Sequence, residues 1–475
     1  MNRRDFLKIF GGVTVASSAM LTACKDASTD SSAPKINGKM TMRKNPNTGD
    51  EVSILGYGMM RLPTLEKKEE TDESIIDQEM VNKQVDYALE HGINYFDTSP
   101  AYCQGKSEQS TGAALSRHDH SKYFVATKLS NFSPDTWSRE ASQEMFNRSM
   151  MYLHVKYIDY LLLHAIGGTS RDLNGNDLDS EQTFYARYMD NGILDWLVEQ
   201  KKAGKIRNLG FSYHGDIKIF DMLLKWHDEG KYHWDFVQIE LNYLDWDYAD
   251  EINKSNTDAS YLYAELQKRG IPSVIMEPLL GGRLANVPDP IVEKMKERRP
   301  EDSVASWAFR YAGTPEGVLT VLSGMTYMDH LQENTATYSP LEPITDEENA
   351  FLMEIAKDIY DLKTIPCNEC QYCMPCPYGI NIPAIFVHYN KMIKEGNMPH
   401  HREDAEYTRQ RKAFLVGYDR SVPRLRQADH CIGCGECVSH CPQRIRIPRE
   451  MKRIDTFVEN LKRNNLVPDK VEEEA

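Results

Sequence analysis

Eight of the ten cysteines lie in two short runs, and their spacing suits one kind of chemistry. The first run contains Cys367, Cys370, Cys373 and Cys376, and the second contains Cys431, Cys434, Cys437 and Cys441. Soft thiolates spaced two residues apart can converge from one tight turn, as a cube of iron and sulfide requires. A zinc site would use two separated pairs of cysteines. Disulfides need Cα atoms roughly 4.4–6.8 Å apart, which suits such close neighbours poorly. We therefore expect two [4Fe–4S] clusters.

The second run resembles the bacterial ferredoxin pattern C-x2-C-x2-C-x3-C-P, and the first is one residue shorter before its last cysteine. In that pattern the fourth cysteine ligates the other cluster. The resemblance implies two crossed ligand sets, namely Cys367, Cys370 and Cys373 with Cys441, and Cys431, Cys434 and Cys437 with Cys376.

An internal repeat accompanies the two runs. Residues 376–383 and 441–448 align in frame and both end in Ile-Pro. Proline is tolerated at the first position of a helix, so each repeat favours a helix start. The stretch between the runs has helical apolar spacing, for example over 384–394. These features resemble the α-helical dicluster ferredoxin module, which we place at 365–452.

The first 23 residues have the features of a targeting segment. Arg3 and Arg4, followed by Phe, Leu and Lys, resemble a twin-arginine signal. The apolar stretch 9–21 is too short and too rich in Gly and Ser to span a membrane. The sequence Leu-Thr-Ala-Cys24 resembles a lipobox, whose cysteine becomes the lipid-modified first residue. The arginine pair alone would also fit an ordinary basic leader.

The combined motifs predict a compartment. Iron–sulfur clusters are inserted in the cytoplasm, and the twin-arginine route exports folded proteins. We expect an exported lipoprotein, anchored to the membrane and facing the periplasm or the cell exterior. Residues 24–39, rich in Ser, Asp and Thr, would form a flexible tether.

Composition excludes some classes of function. The net charge of −15 argues against nucleic acid as a partner. A length of 475 residues exceeds that of one domain. Outside the two runs the only cysteines are Cys24 and Cys103, so we expect no disulfide framework.

The middle of the chain alternates short apolar β-rich runs with amphipathic helical stretches. The eight predicted strands are 53–59, 94–97, 123–127, 157–164, 208–212, 236–240, 273–276 and 318–323. Their number and spacing predict an α/β protein with a (β/α)8 TIM barrel at 40–345. A doubly wound open sheet is the alternative, but no GxGxxG opens a strand–helix unit. A connecting helix at 346–364 and a C-terminal helix or tail at 453–475 would flank the ferredoxin-type dicluster domain.

Polar residues fall at the carboxyl ends of predicted strands, where a barrel places its chemistry. Asp97, Lys128 and His164 close the second, third and fourth strands. Tyr102 opens a segment that fits Y-x-x-G-x-S-E-x-x-x-G. These residues resemble the aldo-keto reductase family, and the whole chain resembles members of that family fused to a C-terminal dicluster ferredoxin domain.

The resemblance implies a catalytic role for each of the four residues. Tyr102 would be the general acid or base for a carbonyl and alcohol pair. Lys128 would lower the pKa of Tyr102, and Asp97 would hold Lys128 charged. His164 would hydrogen-bond the carbonyl oxygen. Without the resemblance, Asp97 and Lys128 could form a structural ion pair, and His164 could be an ordinary strand-end residue.

The resemblance also implies a nicotinamide site, with departures from the family. Ser212 and Gln238 match residues that hold the carboxamide, whereas Tyr213 stands where Asn is usual, and Met276 takes the place of the aromatic residue that stacks on the nicotinamide. Gly281 and Gly282 can cradle a pyrophosphate or form a plain turn. The residues that align with the adenosine phosphate site are Ser323, Gly324, Glu333 and Asn334. The cations that bind a 2′-phosphate are absent, which weighs against NADP and leaves NAD open.

We expect an exported iron–sulfur oxidoreductase that acts on a small carbonyl or alcohol substrate and relays electrons through its clusters. Hydride transfer moves two electrons together, whereas each cluster moves one. The alternative is therefore an electron carrier with a redox partner protein, whose barrel is a binding scaffold without nicotinamide chemistry.

Two further features stay open. The insertion 167–191 after His164 would cover the active site. Its aromatic residues, Phe184, Tyr185 and Tyr188, could stack on a ring-shaped substrate or anchor the loop. Cys103 could have a redox role or simply line the pocket.

Overall fold

A computed structural model describes residues 34–65, 75–251, 256–362, 364–367, 369, 371–438, 440–441, 443 and 445–464. The predicted signal, its lipobox Cys24, most of the tether and the last eleven residues lie outside the described residues. The same holds for Cys370.

Eight parallel strands form a closed barrel in chain order, which confirms the predicted fold class. An antiparallel hairpin of β1 (Met42–Lys44) and β2 (Glu51–Ser53) precedes it at the amino-terminal end of the strands. The barrel strands are β3 (Leu55–Gly58), β4 (Tyr95–Asp97), β5 (Phe124–Leu129), β6 (Ile158–Ile166), β9 (Ile206–Tyr213), β10 (Phe236–Glu240), β11 (Ser273–Met276) and β12 (Val318–Ser323). The short strands β7 (Ser170–Arg171) and β8 (Asp177–Leu178) pair outside the barrel.

Helices alternate with the strands and cover the barrel. They are α1 (Gln78–Glu90), α2 (Ser107–Leu115), α3 (Arg139–Tyr152), α4 (Ser180–Phe184), α5 (Ile193–Lys202), α6 (Ile217–Asp228), α7 (Asp245–Tyr248), α8 (Ala259–Gln267), α9 (Asp289–Arg298), α10 (Val304–Gly313) and α11 (Met328–Thr337). Gly112 shows how tightly they pack, because a Cβ there would lie 1.9 Å from the carbonyl oxygen of Tyr152 at the end of α3.

The barrel strands are buried on both faces, as expected for parallel strands covered by helices. One set of side chains fills the barrel interior, including Tyr95, Tyr160 and Phe236. A larger apolar core lies between the strands and the surrounding helices. This packing holds the carboxyl ends of the strands in fixed positions.

The insertion after His164 is held down by its own aromatic residues. Phe184 and Tyr188 are 2% and 0% exposed and pack into the barrel core. The Tyr185 ring lies 6.4 Å from that of Trp226. The aromatic side chains therefore anchor the insertion, which resolves the choice that the sequence left open.

Four helices follow the barrel: α12 (Asp346–Asp361), α13 (Ile382–Lys394), α14 (Tyr407–Ser421) and α15 (Ile447–Arg463). Helix α12 packs on the barrel core through Phe351, Ile355 and neighbouring residues. The other three enclose a separate core that includes Phe386, Phe414 and Ile454. Helix α15 begins within the predicted dicluster segment, so the tail expected at 453–475 is partly the continuation of this helix. None of the helices in the described part of the chain is both long and apolar enough to cross a membrane.

Candidate functional site

Four polar residues predicted as catalytic meet at the carboxyl end of the barrel. Asp97 ends β4, Lys128 lies in β5, His164 lies in β6, and Tyr102 lies in the turn that follows β4. Asp97, Lys128 and His164 are at least nine-tenths buried. Tyr102, Asp97 and His164 line one cavity.

Lys128 and Asp97 form a buried ion pair. The Lys128 Nζ donates to Asp97 Oδ1 at 2.5 Å and to the carbonyl oxygen of Thr98 at 2.9 Å. The same ammonium lies over the Tyr102 ring, 4.7 Å from its centroid. Burial lowers the pKa of Lys128, while the Asp97 charge and hydrogen bond raise it. The pair places a positive charge against the face of the tyrosine.

The pKa of Tyr102 differs from the expectation drawn from the family. It is raised well above its usual value, first by burial and then by the Asp97, Glu277 and Cys103 groups. The described hydrogen bonds of Lys128 go to Asp97 and Thr98 rather than to the Tyr102 hydroxyl. The expectation of a lowered pKa is therefore wrong for this state, in which burial sets the net direction. Tyr102 is held protonated, as a proton donor must be.

His164 is held in a neutral form. Its Nδ1 lies 2.6 Å from Ser130 Oγ and 3.3 Å from Ser99 Oγ. Burial lowers the pKa of His164 well below its usual value, and Lys128 and Arg187 add to the effect. Serine donation to Nδ1 favours the tautomer with hydrogen on Nε2, which can donate to a substrate oxygen. The His164 and Tyr102 rings meet edge to face with centroids 5.8 Å apart.

The insertion contributes a residue that the sequence did not single out. Arg187 donates to the carbonyl oxygen of His164 and to the Tyr188 hydroxyl, each at 2.7 Å. Its guanidinium also lies 5.1 Å from the centroid of the Phe132 ring. Arg187 thus fixes the strand end that carries His164. A single Arg in a polar loop carries no sequence signal for this role.

Glu277 is a second residue that the sequence did not indicate. It follows β11 directly, lines the same cavity as Tyr102 and has a φ of 53°. Burial raises the pKa of Glu277, and the Glu240 charge adds to this, while Arg61 and His214 oppose it. The nearby backbone N–H of Gly281 also lowers the pKa of its carboxyl group. In the sequence its only mark is an acidic residue directly after the seventh predicted strand.

The predicted cofactor residues mostly line this cavity. Those that do are Gln238, Gly281, Gly282, Ser323, Gly324, Glu333 and Asn334. Ser212 does not; its Oγ accepts the N–H of Ala165 at 2.8 Å. The Oε1 atoms of Gln238 and Glu333 are buried without a hydrogen-bond partner. Such orphaned acceptors fit the carboxamide and amino groups at the two ends of a nicotinamide dinucleotide.

Cys103 packs against the barrel core rather than lining the cavity. The Cys103 thiol donates to the carbonyl oxygen of Met60, with 3.3 Å between the sulfur and the oxygen. Burial raises the pKa of the Cys103 thiol, which disfavours the reactive thiolate.

Cysteines from both runs meet in the C-terminal module. A cavity of about 310 Å³ is lined by Cys373, Cys376, Cys431, Cys434 and Cys437. Burial and the charges of Cys431, Cys434 and Cys376 raise the pKa of Cys437 to about 11. Cys376 from the first run therefore lies near three cysteines of the second, but Cys373 lines the same cavity, so the crossed ligand sets stay a prediction.

The donor set suits clusters better than single ions. Within the described ranges, no three His, Cys, Asp or Glu side chains are arranged to hold one metal ion. A cube spreads its thiolates over four irons, so they need not converge on one point. Sulfur donors in two groups of four, with Cys370 outside the described residues, fit two [4Fe–4S] clusters.

The module lies over the barrel mouth. A cavity of about 2570 Å³ runs from Tyr102 and His164 to Cys434 and Cys441. The loop after β11 is tied to the module, since Arg283 donates to Thr364 Oγ1 at 2.8 Å. Lys394 of α13 donates to the carbonyl oxygen of Asn286. One continuous cavity, open in part to solvent, therefore joins the barrel site to the cysteines of the module.

Comparisons with known proteins agree with this architecture. The family described as "Aldo/keto reductase family" matches residues 54–357. The chain belongs to the aldo/keto reductase family. A "4Fe-4S dicluster domain" matches residues 366–445 and follows the reductase domain. Both parts of the predicted recognition are thus confirmed, and the chain is an oxidoreductase of this family.

Several relatives of this reductase are known. It is 25% identical over 322 residues to an L-galactose dehydrogenase of Arabidopsis thaliana, covering 64% of this chain and 90% of that protein. It is 24% identical to the uncharacterized oxidoreductase YqkF of Bacillus subtilis, covering 68% and 98%. The solved aldo-keto reductase AKR11C1 from Bacillus halodurans is 24% identical, covers 66% of this chain and 96% of its own, and gives a TM-score of 0.49.

Proposed function

We propose that this aldo/keto reductase interconverts a carbonyl and an alcohol in the barrel mouth and exchanges the electrons with two [4Fe–4S] clusters in its C-terminal module. The observation that carries the proposal is the single cavity lined by Tyr102 and His164 at one end and by Cys434 and Cys441 at the other. If this protein only carried electrons, its clusters would not need to share a cavity with the barrel site.

The chain's own residues supply the proton chemistry. In the reducing direction the substrate oxygen gains negative charge as its carbon is reduced. His164 Nε2 donates a hydrogen bond to that oxygen, and Tyr102 gives it the proton. The Lys128 ammonium, held by Asp97 at 2.5 Å, stabilises the tyrosinate that remains. Residues of the insertion and the module line the cavity around these groups, and any water that they displace from it strengthens each of these interactions.

A hydride carrier would complete the site. A nicotinamide, if bound, supplies a hydride to carbon. Gln238 and Glu333 would hold its two ends, since each has a buried oxygen without a partner. Asn334 donates to Ser323 at 3.1 Å and shapes the adenosine end. The clusters would supply two electrons in total, one from each, and with one proton from solvent these would restore the hydride of a bound nicotinamide, so that the substrate carbon gains its hydrogen.

The substrate class that we propose is a small sugar carbonyl. The Arabidopsis thaliana relative is named for a sugar substrate, L-galactose. The cavity lining supports this, because it carries polar groups such as Arg61, His214 and Glu277 beside Tyr102. These groups can pair with the several hydroxyls of a sugar.

The test uses the clusters as reporters. The protein is reduced to one electron per cluster, freed of reductant and mixed anaerobically with an equivalent of NAD⁺ and a panel of aldoses and ketoses. We expect one substrate to abolish the electron paramagnetic resonance signal of the reduced clusters, with one alcohol formed per two electrons. If no carbonyl compound oxidises the clusters while a small protein acceptor does, the barrel is a scaffold and the chain is an electron carrier.

We also propose export and lipid anchoring, on the sequence of the segment before residue 34. Cys24→Ser should move the protein from the membrane fraction to the soluble fraction of the exported material. Arg3→Lys with Arg4→Lys should leave it in the cytoplasm with its signal uncleaved. Immunoblots of fractionated cells measure both, with Cys103→Ser as the cysteine control. Unchanged fractionation of the Cys24 variant would remove the anchor from the proposal.

A further inference from the structure

Exposed apolar side chains gather beside the cysteines of the C-terminal module. Tyr378, Leu425 and Ile432 are 47%, 80% and 64% exposed, and we call them the Leu425 patch. Tyr378 and Ile432 also line the smaller cavity, together with cysteines of both runs. Large apolar side chains that are exposed in a group, rather than singly, are typical of a surface that binds a partner.

Hydrogen bonds hold the three segments of the patch side by side. Arg426 donates from Nε to the carbonyl oxygen of Gly379 at 3.3 Å, which ties the turn at 424–426 to the segment of Tyr378. A ring nitrogen of His430 lies 3.2 Å from the carbonyl oxygen of Arg424, which ties the same turn to the start of the second cysteine run. The three apolar side chains therefore belong to one surface next to the smaller cavity.

The patch lies in a basic part of an acidic protein. The whole chain has a net charge of −15, whereas residues 420–453 contain eight Arg or Lys and three Asp or Glu, a net charge of +5. The cations nearest to Leu425 in the chain are Arg420 and Arg424, which are exposed, and Arg426, which is half-buried; Asp429 and Glu436 are exposed anions of the same segment. Bound clusters would add negative charge inside the module, but an approaching molecule meets the surface cations first, because salt screens the more distant charges.

We propose that the Leu425 patch is the docking site of a small acidic electron-transfer protein, which delivers electrons one at a time to the cluster held by the adjacent cysteines. The inference rests on the proposed function, because that reaction draws two electrons from the clusters for each carbonyl reduced. An apolar centre with a polar rim is the usual anatomy of a protein interface. The excess of cations favours an acidic partner and speeds its encounter. A lipid surface would suit the same charges but would supply no electrons to the cysteines beside the patch.

The two cavities give the electrons a direction. The smaller cavity, beside the patch, is lined by Cys376 and Cys431, whereas Cys441 lines the large cavity that reaches Tyr102. Two molecules of reduced partner each lose one electron, and the two clusters each gain one. The clusters are oxidised again when both electrons and one proton restore the hydride of a bound nicotinamide, which then reduces the carbonyl carbon. Electrons thus enter beside the patch and leave at the barrel mouth.

The test follows cluster reduction and needs no carbonyl substrate. The full chain with oxidised clusters is mixed anaerobically, in a stopped-flow spectrometer, with a reduced plant-type ferredoxin as the small acidic donor. For the unaltered protein we expect the rate constant to fall about tenfold or more between about 0.02 M and about 0.3 M salt, because salt screens opposite charges. At low salt, Leu425→Ser should slow cluster reduction about fivefold or more, because it removes the apolar centre of the interface. Arg420→Gln with Arg424→Gln should slow it about tenfold, because it removes two attractive charges.

Three controls isolate docking from other effects. Met151→Ser removes a side chain that is 61% exposed on helix α3 of the barrel. Lys122→Gln with Lys202→Gln removes two exposed cations at the amino-terminal end of the barrel strands. Both variants should keep the rate with ferredoxin within about twofold. Reduced methyl viologen is a small cation that needs no docking surface, so it should reduce the patch variants no more slowly than the unaltered protein.

Two outcomes overturn the inference. In the first, reduced ferredoxin passes no electrons to the unaltered protein, or does so at a rate that neither salt nor the patch variants change. In the second, the patch variants lose binding to phosphatidylserine vesicles while their reduction by ferredoxin is unchanged, so that the patch is a membrane contact. If a patch variant is also slow with methyl viologen, its clusters are damaged, and the salt series with the other variant decides. None of these results bears on whether a carbonyl oxidises chemically reduced clusters, so the proposed function is tested separately.

Discussion

Tyr102→Phe is expected to lower the rate of carbonyl reduction about 100-fold or more while leaving substrate binding nearly unchanged. The substitution keeps the ring, its edge contact with His164 and its face against Lys128, and removes only the hydroxyl that carries the proton. The alkoxide must then take its proton from water, which the covered mouth restricts. The measurement is the single-turnover rate at which reduced clusters are oxidised by the substrate.

Tyr327→Phe is the matched control. Tyr327 lines the outer part of the same cavity and is 65% exposed, so loss of its hydroxyl should change the rate less than about twofold. If Tyr102→Phe retains the full rate on a substrate that the unaltered protein reduces, Tyr102 is not the proton donor. Electron transfer through a barrel without aldo/keto reductase chemistry would then be favoured.

Cys434→Ala is expected to remove one of the two clusters. The count of iron per chain should fall from about eight to about four, with an equal loss of sulfide. Cys434 lies with Cys376, Cys431 and Cys437 around the smaller cavity, so the loss should be confined to the cluster that they would hold. The module should also unfold at a lower temperature, because cluster ligation links segments that are distant in sequence.

Anaerobic metal analysis and calorimetry measure these effects. Cys103→Ala, which alters a thiol packed against the barrel core, should keep about eight irons per chain. Zinc in stoichiometric amount without iron in the unaltered protein would contradict the cluster assignment. So would an iron count that Cys434→Ala leaves unchanged.

Much of the architecture was predictable because its signals are local. The apolar runs that end at Asp97, Lys128 and His164 predicted the barrel strands within a few residues, since burial on both faces demands continuous apolar stretches. The cysteine spacing predicted the dicluster domain, because three of the four thiolates of each cluster come from one turn. The rule that active sites lie at strand carboxyl ends then placed those three residues and Tyr102 together.

Other features arise only from contacts between distant parts of the chain. The placement of Cys434 in the same cavity as Tyr102 depends on ties between the loop after β11 and the module, such as Arg283 with Thr364. No local pattern predicts such docking. The role of the insertion also depended on packing, since Phe184 is buried against the barrel core rather than open to a substrate.

By itself, the sequence determined which groups can do chemistry, namely the thiolates, the tyrosine, the lysine and the histidine. Only the tertiary structure decided their protonation. Burial with Asp97 and Glu277 raises the pKa of Tyr102, contrary to the effect expected of Lys128. The physical reason is that electrostatic interactions depend on distances and burial in space, which residue types and their spacing along the chain do not specify.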